Sequence, residues 1–187
     1  MASPVKAADY PTIAPKTVTE WRHWLRENHS SARGVWLVNY KASTGKPRLR
    51  YDESIPEALA YGWIDSVHRP LDDERNGLLF TPRRSGSLWS RTNKERIARL
   101  IKTGRMRPAG LAKITAAKRD GSWSMLASVE SLAIPTDLGK ALAAAKVRAR
   151  FDELTRGAKR RHLYSLVTAK RAETRAKRIA AVIDSLR

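Results

Sequence analysis

The 187-residue chain has no cysteine, which excludes disulfides, thiolate nucleophiles and cysteine-based metal sites. It is also short of acid, with 18 Asp and Glu against 37 Lys and Arg, a formal net charge of +19 and a pI of about 10.9. No apolar run approaches the roughly 20 residues that a bilayer-spanning helix needs. Met1–Lys16 lacks both the apolar stretch of a secretory signal and the Arg/Ser bias of a transit peptide, and the absence of cysteine fits a reducing cytoplasm, the location expected. There is no phosphate-binding glycine loop, dinucleotide fingerprint or G-x-S-x-G elbow, and His23, His29, His68 and His162 share no ligand-type spacing. A familiar catalytic mechanism would leave one of these marks, so no catalytic residue, metal or cofactor is expected.

What is present is ordinary in amount and unusual in placement. Apolar residues at 42% with 29% charged residues suit a globular protein with one sizeable core. Residues 83–119 carry twelve Lys/Arg against Glu95 alone, and residues 140–178 carry thirteen against Asp152, Glu153 and Glu173. Everything else sums to −2. Two basic blocks on a near-neutral frame make a local positive field, expected to form one face for a polyanion: nucleic acid, anionic lipid headgroups or an acidic protein.

The periodicity predicts an α+β fold, a small antiparallel sheet with flanking helices followed by a helical C-terminal part. Prolines 4, 11 and 15 mark residues 1–16 as a mobile arm. Residues 17–187 read as a single unit with a shared core, α+β over 17–125 and helical over 136–187. Thr19 is the expected cap of a helix over Glu20–Asn28. Gly34–Lys41, Ile64–Arg69 and Gly77–Pro82 read as strands, and Ile55–Tyr61 as a short helix with Pro56 near its first turn. Thr92 and Glu95 have the form of a capping box, Gly104 ends that helix, and Pro108 opens the next, to about Arg119. Ser128–Asp137 reads as a connector. Helices are then expected over Thr136–Ala145, Arg148–Leu154, Ala158–Thr168 and Glu173–Leu186, the last with an apolar stripe through Ile179, Ile183 and Leu186.

The best candidate binding loop runs from Phe80 to Ser87 and includes Thr81, Arg83 and Arg84. Adjacent guanidiniums suit phosphate or carboxylate, and the helix beginning near Ser90, Asn93 and Lys94 points its positive end toward them. Trp63 and Trp89 can stack on a base, a sugar or an arginine plane, or anchor the core as large aromatics commonly do. Asp65 and the acidic loop Asp72-Asp73-Glu74-Arg75 lack a metal-ligand frame; Asp65 is expected to pair with a nearby arginine, and the cluster to cap or balance the basic loop. Lys170, Arg171, Arg175 and Arg178 give the last helix a basic stripe, either a solvated face or a phosphate-tracking surface.

The string YGWIDSVHRPLDDERNGLLFTPRRSGSLWSRTNKERIARLIKTGRMRPAGL, residues 61–111, and the tail TAKRAETRAKRI, residues 168–179, resemble the YdeI/OmpD-associated, or bacteriocin-protection, family. The resemblance extends over roughly Thr17–Leu186. It implies a role in bacterial resistance to bacteriocins, cationic antimicrobial peptides and envelope stress, with no reaction or cofactor attached. The chain departs from the family pattern at Ala60, where many relatives have Cys, at Ser66, where Gly is common, and at Arg107, which replaces a capping Thr. Binding of an anionic partner is the leading expectation, direct nucleic-acid binding the second, and an enzyme acting on a small anion in a Trp63/Arg83/Arg84/Trp89 cleft the third.

Overall fold

The structure, a computed structural model, describes residues 9–187, and the first eight residues of the expected arm lie outside them. The chain divides into two compact units, Met1–Asp120 and Gly121–Arg187. The first is α+β and the second helical, so the predicted fold class holds. The first basic block lies in the first unit and the second block in the second.

In the first unit, strands β1 (Thr12–Ile13), β2 (Val35–Tyr40), β3 (Trp63–Pro70) and β4 (Arg75–Pro82) form a sheet in the order β1-β2-β4-β3. The β3–β4 hairpin and the β2–β4 pair are antiparallel. β1 runs parallel to β2, with Thr12 opposite Trp36, so the sheet is mixed and this end of the expected arm is a sheet edge. Two residues are too few to show a period-2 pattern, which is why the sequence reading passes over β1. A bulge falls between Asp65 and His68 of β3, where the Ser66 hydroxyl donates to the Leu79 carbonyl at 3.2 Å. Ser thus serves at a position where Gly would be ordinary.

Helix α1 (Val18–Asn28) is capped by Thr17, whose side chain accepts from the Glu20 N–H, two residues before the predicted cap. Its apolar positions, Trp21 and Leu25, lie buried against α2 (Tyr51–Ala60) and the sheet. α2 starts four residues earlier than predicted, so Pro56 lies inside it rather than in its first turn. Trp21, Phe80 and Trp63, each 0–1% exposed, form the aromatic centre of the core, with ring centroids of Trp21 and Phe80 5.1 Å apart. The cap of α3 (Arg91–Lys102) is Ser90, which accepts from Asn93 N–H, and not Thr92; the expected partner Glu95 pairs instead with Arg91. Gly104, at φ +66°, ends α3 as predicted. α4 (Pro108–Arg119) begins at the predicted proline, and Gly110 seats it: a Cβ there would collide with the carbonyl oxygens of Leu59 and Ala60 at the end of α2.

The second unit contains α5 (Ala127–Glu130), α6 (Thr136–Ala144), α7 (Arg148–Glu153), α8 (Arg156–Val167) and α9 (Ala172–Asp184). α5 lies within the predicted connector. Val129, Leu138, Leu142, Phe151, Leu163, Leu166, Val182 and Ile183 make one buried cluster. All of these residues belong to the helical unit itself.

α9 supplies Val182 and Ile183, and Leu186 follows from beyond its end. Burial of side chains of this size stabilises by roughly 1.5–3 kcal/mol each. Deleting residues 172–187 is therefore expected to abolish cooperative unfolding of the C-terminal unit, measured by thermal denaturation and the dispersion of methyl NMR signals. A truncation that retains both would show the helix to be dispensable.

Candidate functional site

The starts of α2 and α3, the start of β3 and the end of β4 bring several polar side chains together in the first unit. Asp65 lies opposite Phe80 in the hairpin, and Arg83 follows directly on the end of β4, its N–H bonded to the Gly62 carbonyl at 2.9 Å. Arg83 is only 3% exposed. Its guanidinium lies over the Trp89 ring, 3.6 Å from the centroid, and Nη1 donates to the Leu88 carbonyl at 3.1 Å. Nε is buried without a hydrogen-bond partner. Burial pulls the Arg83 pKa down to about 10, against the opposing charge of Asp65. Asp65 takes the Tyr51 hydroxyl as its donor, at 3.0 Å, rather than the arginine predicted for it. The Tyr51 pKa is raised, first by burial and then by the Asp65 charge. Arg96 lies 5.8 Å over the Tyr51 ring and donates to Asn93 Oδ1 at 3.0 Å. Tyr51 and Arg96 were not singled out in the sequence, where nothing in their spacing sets them apart.

The predicted two-guanidinium cradle does not form. Arg83 turns into the protein and Arg84 into solvent, because successive residues of an extended chain point to opposite sides. The loop beyond them is held by an acid: the Ser85 hydroxyl and the Gly86 N–H both donate to Asp120 Oδ2 at 3.0 Å. Trp63 and Trp89, at 1% and 3% exposure, are core anchors and not platforms for a ligand; Trp89 stacks on the Arg83 plane, one of the partners expected for it, and Trp63 Nε1 donates to the His29 carbonyl at 3.1 Å. Thr81 lies in β4 opposite Ile64, half-buried, and Lys94 is half-buried in the first turn of α3. The acidic cluster caps and pairs within its own turn: Asp72 Oδ1 accepts the N–H groups of Glu74 and Arg75, Asp72 pairs with Arg75 at 2.7 Å and Glu74 with Lys46 at 2.6 Å, and neither makes an ion pair with Arg83 or Arg84. Among the described residues no group of three or more His, Cys, Asp or Glu is placed to hold a metal ion.

A buried clamp was also missed. Glu57 of α2, 3% exposed, accepts from Arg22 Nε at 2.8 Å and Nη2 at 3.0 Å, and pairs with Arg105. An acid in the otherwise apolar stretch IPEALAYG was the available signal. The exposed bases of α3, α4 and their link are differently placed. Arg99 and Lys102 of α3, Arg107 of the link and Arg119 of α4 are exposed and make no ion pair among the described residues, and the same holds for Arg84 of the loop before α3.

In the second unit, Arg175 and Arg178 are structural. Arg175 forks onto Asp137 through Nε at 2.6 Å and Nη2 at 3.0 Å, and its Nη1 donates to the Leu166 carbonyl at 3.0 Å. Arg178 Nη1 donates to the Ser165 carbonyl and to Thr168 Oγ1. Together they satisfy acceptors in the last turn of α8. Lys170 is exposed between α8 and α9.

Trp89→Ala is expected to destabilise the protein by about 3–5 kcal/mol in urea titration, as large-to-small core substitutions do. Arg84→Gln should change stability by no more than about 0.5 kcal/mol. Equal effects of the two would contradict the split environment. The hydrogen bonds from Arg175 hold the Asp137 carboxyl below its usual 3.8, so this contribution is complete above that pH and is lost as pH falls through the lower folded value. Asp137→Asn should lower the melting temperature at neutral pH, with the gap to wild type closing below about pH 3.8. A gap that is constant down to pH 2 would refute the assignment.

A family model described as a domain of unknown function (DUF8412) matches residues 13–113, and one described as Bacteriocin-protection, YdeI or OmpD-Associated matches residues 131–187. The tail signature at 168–179 lies in the second match, while the string at 61–111 lies in the first. No curated protein and no solved structure matches the chain.

Proposed function

Because the chain belongs over residues 13–113 to the family of the domain of unknown function DUF8412, a description that carries no activity, we propose its function from the bacteriocin-protection match at 131–187 and from its charge. The protein is read as a non-catalytic cytoplasmic protein of the bacteriocin-protection type, which acts by binding an anionic partner. The observation that carries this reading is the set of exposed, unpaired bases on α3, α4 and their link, a stretch of 91–119 in which Glu95 is the single acid. Such a surface attracts polyanions over a Debye length of about 8–10 Å and repels cations. Direct sequestration of cationic peptides is therefore disfavoured, and protection would run through nucleic acid, anionic lipid headgroups or an acidic protein. No helix among the described residues is long and apolar enough to cross a membrane.

Affinity for a nucleic acid is expected to fall with salt at a slope of about −0.9 per duplex phosphate neutralised. Changing Arg99 and Lys102 together to Gln should reduce that slope by about two units and weaken all sequences alike, because phosphate contacts carry no sequence information. Fluorescence anisotropy across a salt series measures both. Absence of salt-sensitive binding to duplex, anionic vesicles and acidic peptide at low ionic strength would refute the reading.

A further inference from the structure

We propose that the cleft between α5 and α8 of the C-terminal unit is a nucleotide-sized site for single-stranded nucleic acid, taking one unpaired base and its phosphate. The proposal rests on the anionic-partner reading and names the partner. α8 places Gly157, Arg160, Arg161 and Tyr164 along one side at i, i+3, i+4 and i+7, and with Val129 of α5 they line a cleft of about 390 Å³. The depression is open to solvent; its volume has room for one nucleotide laid on the surface and is too small for a stacked duplex.

Each wall supplies one part of the recognition. Arg160 and Arg161 are exposed and make no hydrogen bond or ion pair through their guanidiniums among the described residues. Their basic neighbours are already engaged, Arg156 with the Glu130 carbonyl at 3.1 Å and Lys159 with the Asp152 carbonyl at 2.6 Å. Two free guanidiniums one residue apart can fork onto phosphate oxygens. Gly157 leaves the space of a side chain beside them: a Cβ there would find Arg161 Nη1 at 3.9 Å as its nearest neighbour. Tyr164 is 49% exposed, and Val129 gives an apolar floor. An aromatic ring beside free guanidiniums is the chemistry that holds an unpaired base, by stacking, with its phosphate. A phosphate or carboxylate alone would use the arginines and leave the ring without a stacking partner, which an unpaired base supplies. A duplex keeps its bases out of reach.

The test uses the full chain and anisotropy with a short labelled oligothymidylate, a duplex of equal length, and phosphatidylglycerol vesicles. Wild type is expected to favour the single strand. Tyr164→Ala should lose roughly ten-fold in single-strand affinity with little change on duplex, and Tyr164→Phe should retain it. Gly157→Leu, which fills the cleft without altering charge, should reproduce the loss, with melting curves confirming that each variant is folded. Unchanged single-strand affinity in folded Tyr164→Ala and Gly157→Leu would overturn the proposal. Binding of wild type to vesicles or duplex without single-strand preference would also overturn it, while leaving the anionic-partner reading intact. Binding to none of the probes would remove both.

Discussion

The Glu57 carboxylate lies in the middle of α2, buried to 3% exposure, and is reached by Arg22 from α1 and Arg105 from the α3–α4 link. A carboxylate in that position without partners would cost several kcal/mol, so its arginines must arrive together with it. Three parts of the first unit are thereby fixed to one atom group. The Arg107 N–H, two residues beyond Arg105, bonds to the Ala60 carbonyl at the end of α2, and Gly110 lets α4 close over the same helix end. α2 in turn carries Tyr51 to Asp65 and accepts the Trp21 indole N–H on the Ser54 carbonyl. The polar cluster at Arg83 and Trp89 depends on this frame and does not create it.

Acid is scarce, and the chain places it at joints. Asp72 and Glu74 hold the β3–β4 turn, Asp120 holds the loop at Ser85 and Gly86, and Asp137 holds Arg175 at the end of α8. None of these lies on the outward faces of α3 or α8. The outward bases of α3 and α8 are therefore not offset by these acids. Such a surface repels itself, and a bound polyanion would relieve that repulsion. The same reasoning makes the proposed binding strongest at low ionic strength.

Long elements were legible from composition and boundary signals: Pro108 marks the start of α4, and the β-rich run between Gly34 and Gly45 marks β2. Caps were missed by two residues at Thr17 and Ser90, since both lie among several Ser and Thr residues and the choice depends on which one adopts extended backbone. The roles of the tryptophans were open in the sequence because stacking platform and core anchor have the same composition. Adjacency misled at Arg83 and Arg84, where the end of a strand sends neighbours to opposite sides. The second basic block was visible as a run of charge. The cleft within it was not, because Val129 lies some thirty residues before Arg160 in sequence and only packing of α5 on α8 joins them.

The ETR-x-x-R string of the C-terminal match shows what a recurrent motif can encode. Arg175 and Arg178 stand three apart on α9 so that both guanidiniums reach the last carbonyls of α8, and Asp137 of α6 orients the first of them. Their positive charge also suits the negative end of the α8 dipole. Those arginines are consumed by the fold and have little left for a ligand. Their effect on function is indirect, through the helix they terminate. α8 is fixed at its C-terminal end by two arginines and at its start by the Thr155 cap. It therefore holds Arg160, Arg161 and Tyr164 at set spacing and height. With the helix fixed at both ends, binding has only side-chain rotamers left to order and no backbone, which limits the entropic loss when a small number of contacts holds an anion.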